Sequence, residues 1–143
     1  MDLCKKVLGP QYFLVHSLSL QATHLIVFAS IKLASVITGV NSKDVPLGFG
    51  KYLGNKGACS VSMTLGKTRL NFITCHLHSG QDVVEKRNED LIDILNHLMP
   101  SKTIKSKKSQ VAPEETPFDC VILMGDLNYR INGDRSAIFE AMN

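Results

Sequence analysis

The segment VILMGDLNYRI, residues 121–131, places several polar side chains directly after a short apolar run. Asp126 and Asn128 stand two positions apart, and a carboxylate beside an amide can orient a water molecule and hold a phosphate oxygen. Gly125 permits a sharp turn or a close approach of the backbone just before them. Two interpretations stay open on spacing alone: the pair belongs to a site, or Asp and Asn form an ordinary turn. If the chain stays extended, the two side chains point the same way and converge.

Histidine supplies the second candidate group. His76 stands at the far end of a predicted strand, where its imidazole can donate to a phosphate oxygen, although a structural histidine is the alternative. His78 follows two positions later. Neither has an Asp or Glu at ligand spacing in the sequence, which disfavours a histidine metal site.

The glycine-rich segment GFGKYLGNKGA, residues 48–58, is the third candidate. It holds four Gly and two Lys. Backbone N–H groups of such a segment can cradle a phosphate, with Lys51 or Lys56 as point charges. No Gly-Lys-Ser or Gly-Lys-Thr opens a helix here, so it is not a Walker sequence. A solvated loop without a ligand is the alternative interpretation.

Three groups of basic or polar residues remain. Arg130 is either a salt-bridge partner of Asp126 or a phosphate ligand. Arg87 and Asn88 fall on the first turns of a predicted helix and are surface residues by default. A lysine cluster can attract anionic lipid, although a solvated loop is the alternative; its members are Lys102, Lys105, Lys107 and Lys108.

The elements that must position these residues follow from hydrophobic periodicity. Apolar runs predict two strands buried on both faces, at 11–20 and 23–33, and then a long loop at 38–57. Alternation predicts a hairpin, 58–65 and 68–77, around a type II′ turn at Gly66 and Lys67.

A helix, a loop, a strand and a last helix complete the predicted order. The helix covers 82–99, with Asp82 and Glu85 at the spacing of a capping box. A flexible loop at 100–117 precedes a buried strand at 118–125, and a helix runs over 134–143. The order predicts a mixed α/β layered domain.

Composition bounds the class of protein. The 143 residues are 44% hydrophobic, which fits one globular domain, and a net charge of +3 is too small to argue for nucleic acid by itself. The cysteines lack zinc spacing, and we expect Cys59, Cys75 and Cys120 to be reduced core thiols of a cytosolic protein. No apolar stretch of membrane-spanning length and no signal-peptide layout occur.

Three segments together resemble one family, the inositol polyphosphate 5-phosphatases. These segments are LGNKGACSVSM, FITCHLHSGQDVVEKRNEDLIDIL and VILMGDLNYRI, in the family's order and at similar spacing. The resemblance covers roughly residues 10–135. It implies an α/β (α+β) fold, a DNase I-like layered β-sandwich flanked by helices. Residues 1–143 would be the central part of that catalytic domain.

The resemblance also implies a reaction, the Mg²⁺-assisted hydrolysis of the 5-phosphate of a phosphoinositide or a soluble inositol phosphate. Asp126 would activate or orient the attacking water, Asn128 would hold that water or the phosphate, and His76 would contact the scissile phosphate. The substrate-binding positions would be Asn55, Lys56, Arg130, Arg87 and Asn88, the last three being structural or substrate-proximal. The protein would be cytoplasmic and peripheral at membranes, with no zinc and no nucleic acid partner.

The chain departs from the family pattern at both ends. The family's Gln-Glu pair, whose Glu is the principal Mg²⁺ ligand, has no match here, and neither Trp-Cys-Asp-Arg nor Ser-Asp-His occurs. We therefore assign no metal ligand and expect the isolated chain to be inactive. Two alternatives remain: a DNase I-like nuclease, which Tyr129-Arg130 and Asn55-Lys56-Gly57 disfavour, and a non-catalytic phosphoinositide-binding protein.

Overall fold

A computed structural model describes residues 2–47, 56–99, 117–131 and 133–142. The strands are Tyr12–Leu20 (β1), Thr23–Ser30 (β2), Ile37–Pro46 (β3), Gly57–Leu65 (β4), Thr68–His76 (β5) and Cys120–Asp126 (β6). The helices are Asp2–Leu8 (α1), Val84–Leu98 (α2) and Arg135–Ala141 (α3), and Ile31–Val36 forms a 3₁₀ helix. The predicted mixed α/β class is confirmed.

The strands form two sheets. β1 and β2 make an antiparallel pair, and the larger sheet has the order β3-β4-β5-β6. β6 runs parallel to β5, whereas β3, β4 and β5 are antiparallel neighbours. A parallel pair requires a crossover, and α2 lies within the segment that makes it. Because β5 and β6 are parallel, their carboxyl ends lie side by side.

The larger sheet is covered on both faces. One core cluster includes Ile73 on β5 and Ile94 on α2, and the other joins Val61 on β4 to Leu25 on β2. The β1–β2 hairpin and α2 therefore cover opposite faces. α2 buries residues at helical spacing, as expected for one buried face: Arg87, Asp90, Ile94 and Leu98.

The two hairpins follow the sequence closely. β4 and β5 pair from Gly57 opposite His76 to Leu65 opposite Thr68, as predicted. Gly66 has a positive φ of 63°, and Lys67 does not have a positive φ. This combination fits the predicted type II′ turn. β1 and β2 are likewise joined by two residues.

The predicted loop at 38–57 is wrong over its first half, since Ile37–Pro46 is strand β3. Its Gly, Asn, Lys and Asp residues are typical of a loop, but they are also tolerated on an edge strand, which faces solvent. β3 pairs with β4 along its length, with an irregularity between Thr38 and Asn41. Residues 48–55 lie outside the described part of the chain, as do residues 100–116, which hold the lysine cluster.

Three predictions about burial and capping are wrong. Burial of β1 and β2 on both faces fails, because only one face of this pair lies against the larger sheet. β6 is exposed rather than buried, since it is an edge strand of its sheet. The capping box at Asp82 and Glu85 is absent, because Val83 is the N-cap of α2 and makes no side-chain cap.

The four cysteines divide into two classes. Cys59 and Cys75 are free and buried, as predicted, but Cys120 is exposed on the edge strand. Burial raises the pKa of each buried thiol to about 11, with smaller contributions from Asp44 at Cys59 and Asp126 at Cys75. Such thiols stay protonated and unreactive near neutral pH.

We expect a thiol reagent at pH 8 to label Cys4 and Cys120 quickly and the two buried cysteines only after unfolding. Mass spectrometry of peptides from briefly labelled protein measures this directly. Rapid labelling of Cys59 or Cys75 in the folded chain would contradict the buried placement.

Among the described residues, no helix has the length and apolar character that crossing a bilayer needs.

Candidate active site

The carboxyl ends of β5 and β6 bring the first two predicted site residues together. His76 is the register partner of Asp126. The ladder continues past the strands, because the Leu77 N–H donates to the Asp126 carbonyl oxygen at 3.0 Å. His76 Nε2 lies 3.5 Å from Asp126 Oδ2, and the Asp126 side chain is 62% exposed. A solvent-facing carboxylate therefore stands beside an imidazole.

Lys56 is the third member of this group. It directly precedes β4, and its Nζ lies 2.6 Å from His76 Nε2. An ammonium group can only donate, so Nε2 is the acceptor in this contact. The structure thus brings a lysine, a histidine and an aspartate from three neighbouring strands to one place. Asn55, predicted beside Lys56, lies outside the described residues.

The segment after β6 is both a turn and part of the site. The Asn128 N–H donates to Asp126 Oδ1 at 3.1 Å, and Asn128 has φ 54°. The assumption of an extended chain is therefore wrong, and the two side chains are related by a turn. Asn128 Nδ2 donates to the Leu77 carbonyl at 3.1 Å, while its Oδ1 accepts from Arg130 at 3.0 Å. Arg130 is thus tied to Asn128 rather than to Asp126.

Arg87 and Asn88 also lie beside the site; Asn88 is exposed, as predicted, but Arg87 is not. Arg87 is 1% exposed, which contradicts its placement on the surface. Its Nη1 donates to the carbonyl oxygens of His78 at 3.2 Å and Gly80 at 2.7 Å. Asn88 Oδ1 accepts from the Tyr129 hydroxyl at 2.6 Å. Both side chains bind protein groups, while the predicted role in substrate binding stays a prediction.

Asp90 is the residue that the sequence analysis missed. It is fully buried, and its Oδ2 accepts from the His78 N–H at 3.1 Å and lies 2.5 Å from His78 Nδ1. Lys86 Nζ lies 3.3 Å from the other oxygen, Oδ1, without hydrogen-bond alignment. The absence of an acid near His78 in sequence was misleading, because Asp90 reaches it from α2. The available signal was the spacing of Asp90 from Ile94 and Leu98, four and eight residues further on, which puts all three on one face of α2.

We expect Asp90→Ala to lower the free energy of unfolding by about 3 kcal/mol, because a buried carboxylate with hydrogen-bonded partners is removed. Urea denaturation measures this change. Asp93→Ala, on the exposed side of the same helix, is the matched control and should change stability by less than about 0.5 kcal/mol. Equal effects of the two substitutions would contradict the anchoring role of Asp90.

A divalent cation would need several ligands from the described residues. Within the described ranges, no group of three His, Cys, Asp or Glu side chains is placed to hold a metal ion. Mg²⁺ takes oxygen ligands and is usually held by one or two carboxylates, with water and substrate phosphate completing its shell. Asp126 supplies one such carboxylate. These residues therefore fit part of a Mg²⁺ site and do not form a complete one.

The chain belongs to the Endonuclease/Exonuclease/phosphatase family 2, whose family model matches residues 2–143. Two curated relatives of the chain are 5-phosphatases. It is 37% identical over 124 residues to the type IV inositol polyphosphate 5-phosphatase 6 of Arabidopsis thaliana, covering 85% of this chain and 20% of that protein. It is 36% identical over 122 residues to the phosphatidylinositol 3,4,5-trisphosphate 5-phosphatase 2B of Danio rerio, covering 85% of this chain and 10% of that protein.

A solved structure agrees with these relatives. The inositol polyphosphate 5-phosphatase domain of SPsynaptojanin, in complex with inositol (1,4)-bisphosphate and a calcium ion, matches with a TM-score of 0.75 and 26% identity. The match covers 99% of this chain and 39% of that chain. The predicted resemblance and DNase I-like fold are confirmed. The chain spans well under half the length of each of these proteins.

Proposed function

We propose that this chain supplies the phosphate-facing part of a domain that hydrolyses the 5-phosphate of a phosphoinositide or a soluble inositol phosphate, with Mg²⁺ as the cation. The observation that carries the proposal is the meeting of Lys56, His76 and Asp126 at the carboxyl ends of adjacent strands. The identity of the relatives as 5-phosphatases supports the choice of substrate.

Each of the three groups has a chemical use in that reaction. Asp126 is exposed enough to accept a proton from water or to orient it for attack on phosphorus. Lys56 and His76 place a positive charge and a polar ring where negative phosphoryl oxygens would lie. A divalent cation, when bound, neutralises charge on the phosphoryl and leaving oxygens. Arg130 donates a hydrogen bond to Asn128, and this pair stabilises the turn that follows Asp126.

We propose further that the 143-residue chain is inactive alone. Asp126 is the single carboxylate that the described residues bring to this group, and no Gln-Glu pair occurs in the sequence.

The proposed phosphoinositide substrate also implies action in the cytoplasm at a membrane surface. Co-sedimentation with vesicles that contain phosphoinositide tests the surface, and equal binding to vesicles of neutral lipid would contradict it.

A hybrid domain tests the activity. Residues 2–143 would replace the matching segment of the SPsynaptojanin 5-phosphatase domain, and inorganic phosphate release would be measured with Mg²⁺. We expect the folded hybrid to release phosphate and the 143-residue chain alone to release none. Robust turnover by the chain alone would contradict its inactivity. A folded hybrid that nicks plasmid DNA but releases no inositol-linked phosphate would favour a nuclease.

A further inference from the structure

Two loops directly follow the strand ends that carry His76 and Asp126, and helix α2 contacts both loops. The first loop, residues 77–80, follows β5, and the second loop, residues 127–130, follows β6. We propose that Arg87 is a positioning residue that joins the two loops and so fixes His76 relative to Asp126. The assignment rests on the proposed function for its catalytic meaning, while the contacts themselves are features of the fold.

Arg87 holds the first loop through backbone groups. One guanidinium nitrogen, Nη1, donates to two carbonyl oxygens, those of His78 and Gly80. Asp90, one helical turn further on, accepts from the His78 N–H. Donor and acceptor groups of the loop are therefore both satisfied by buried charges of α2. Arg87 is almost completely buried, which favours positioning over direct binding of a phosphate.

The same guanidinium contacts the second loop. Its Cζ lies 5.4 Å from the centre of the Tyr129 ring, within the range of a cation–π contact. The Tyr129 hydroxyl donates to Asn88, so adjacent residues of α2 hold both the face and the tip of this ring. Tyr129 directly follows Asn128, whose amide returns to the Leu77 carbonyl. The two loops and the first turns of α2 thus form a closed ring of contacts.

Lysine cannot replace arginine in this arrangement. An ammonium group lacks the planar surface that stacks on an aromatic ring. Arg87→Lys therefore keeps the charge and removes the connection between the loops. Tyr129→Leu removes the connection from the other side, at an exposed residue where misfolding is not expected. Arg69→Lys is the matched control, because Arg69 pairs with Asp119 at the opposite end of the sheet.

Amide hydrogen exchange in the 143-residue chain tests the proposal. Two amides report on the loops, Leu77 N–H on the Asp126 carbonyl and Asn128 N–H on the Asp126 carboxylate. We expect Arg87→Lys and Tyr129→Leu each to accelerate exchange at both amides about fivefold or more. Exchange at Val61 in β4 should stay unchanged, and Arg69→Lys should alter none of the three amides.

Two results would overturn the proposal. Unchanged exchange at Leu77 and Asn128 in Tyr129→Leu would show that the ring contact does not hold the loops. Acceleration at Val61 equal to that at the loops would show only a loss of global stability. If Arg87→Lys does not fold, Tyr129→Leu decides alone.

Titration with inorganic phosphate, followed through the His76 ring signals, separates this inference from the proposed function. We expect phosphate to shift these signals in the unaltered chain and to bind about threefold more weakly to Tyr129→Leu. Equal affinity in the two proteins would contradict the positioning role. No shift in the unaltered chain would contradict the phosphate site, while the exchange measurement would still decide whether α2 joins the loops.

Discussion

Replacing Asp126 with asparagine is expected to lower phosphate release by the hybrid domain by about a hundredfold to ten-thousandfold, the usual contribution of a general base. The substitution keeps the shape of the side chain and an oxygen to accept from the Asn128 N–H. It removes the negative charge and the proton acceptor beside His76. Initial rates at saturating substrate and Mg²⁺ measure the effect as a fall in kcat.

The control for this substitution is Asp119→Asn. Asp119 directly precedes β6 at its other end, where its carboxylate accepts from Arg69. The charge change is the same, but the residue lies a whole strand away from the site. We expect kcat to change less than about twofold in this variant. A loss in Asp119→Asn as large as that in Asp126→Asn, or retention of full rate by Asp126→Asn, would contradict the catalytic role of Asp126.

Gly125→Ala is expected to lower the free energy of unfolding by about 4 kcal/mol. An added Cβ would lie 2.1 Å from the Cys75 carbonyl oxygen, which is a backbone atom and cannot rotate away. The φ of 120° adds backbone strain for any side chain. Strain of this kind costs about 1–3 kcal/mol, and overpacking adds about 1–3 kcal/mol. Denaturant unfolding followed by circular dichroism measures the change.

Gly66→Ala separates strain from steric clash. Gly66 also has a positive φ, 63°, but an added Cβ would meet no atom within 4 Å. We expect this variant to lose only about 1–2 kcal/mol, the cost of the left-handed conformation. Equal losses in the two variants would show that close approach of β5 and β6 does not require glycine at 125. A larger loss in Gly125→Ala would show that the close pairing of β5 and β6 requires glycine at 125.

Local patterns predicted much of the fold because the forces involved act over a few residues. Alternation and a Gly-Lys turn defined β4 and β5, and apolar spacing defined α2. β3 escaped detection because its pairing partner, not its own composition, makes it a strand. The exposure of β6 was missed for a related reason, since an apolar run does not show whether a strand lies at a sheet edge.

The site was predicted only in part, because local patterns reveal contacts between residues that are close in sequence and not contacts between distant ones. Asp126 and Asn128 are close in sequence, so their association was visible. His76 lies fifty residues before Asp126, and their meeting depends on the parallel pairing of β5 and β6. Arg87 was misplaced because a charged residue on a helix is usually exposed. Its burial depends on carbonyl groups of the first loop that no local pattern identifies.

Phosphate release resolved by ring position tests the central claim, that Lys56, His76 and Asp126 form a site for hydrolysis of a 5-phosphate. The folded hybrid domain would be incubated with Mg²⁺ and an inositol phosphate that carries phosphates at the 4 and 5 positions, and the product would be identified by ³¹P NMR. We predict that the substrate loses only its 5-phosphate with the unaltered hybrid. With the Asp126→Asn hybrid, we predict no detectable loss of either phosphate over the same time. Equal release from both positions, or a folded hybrid without turnover beside an active parent domain, would contradict the claim.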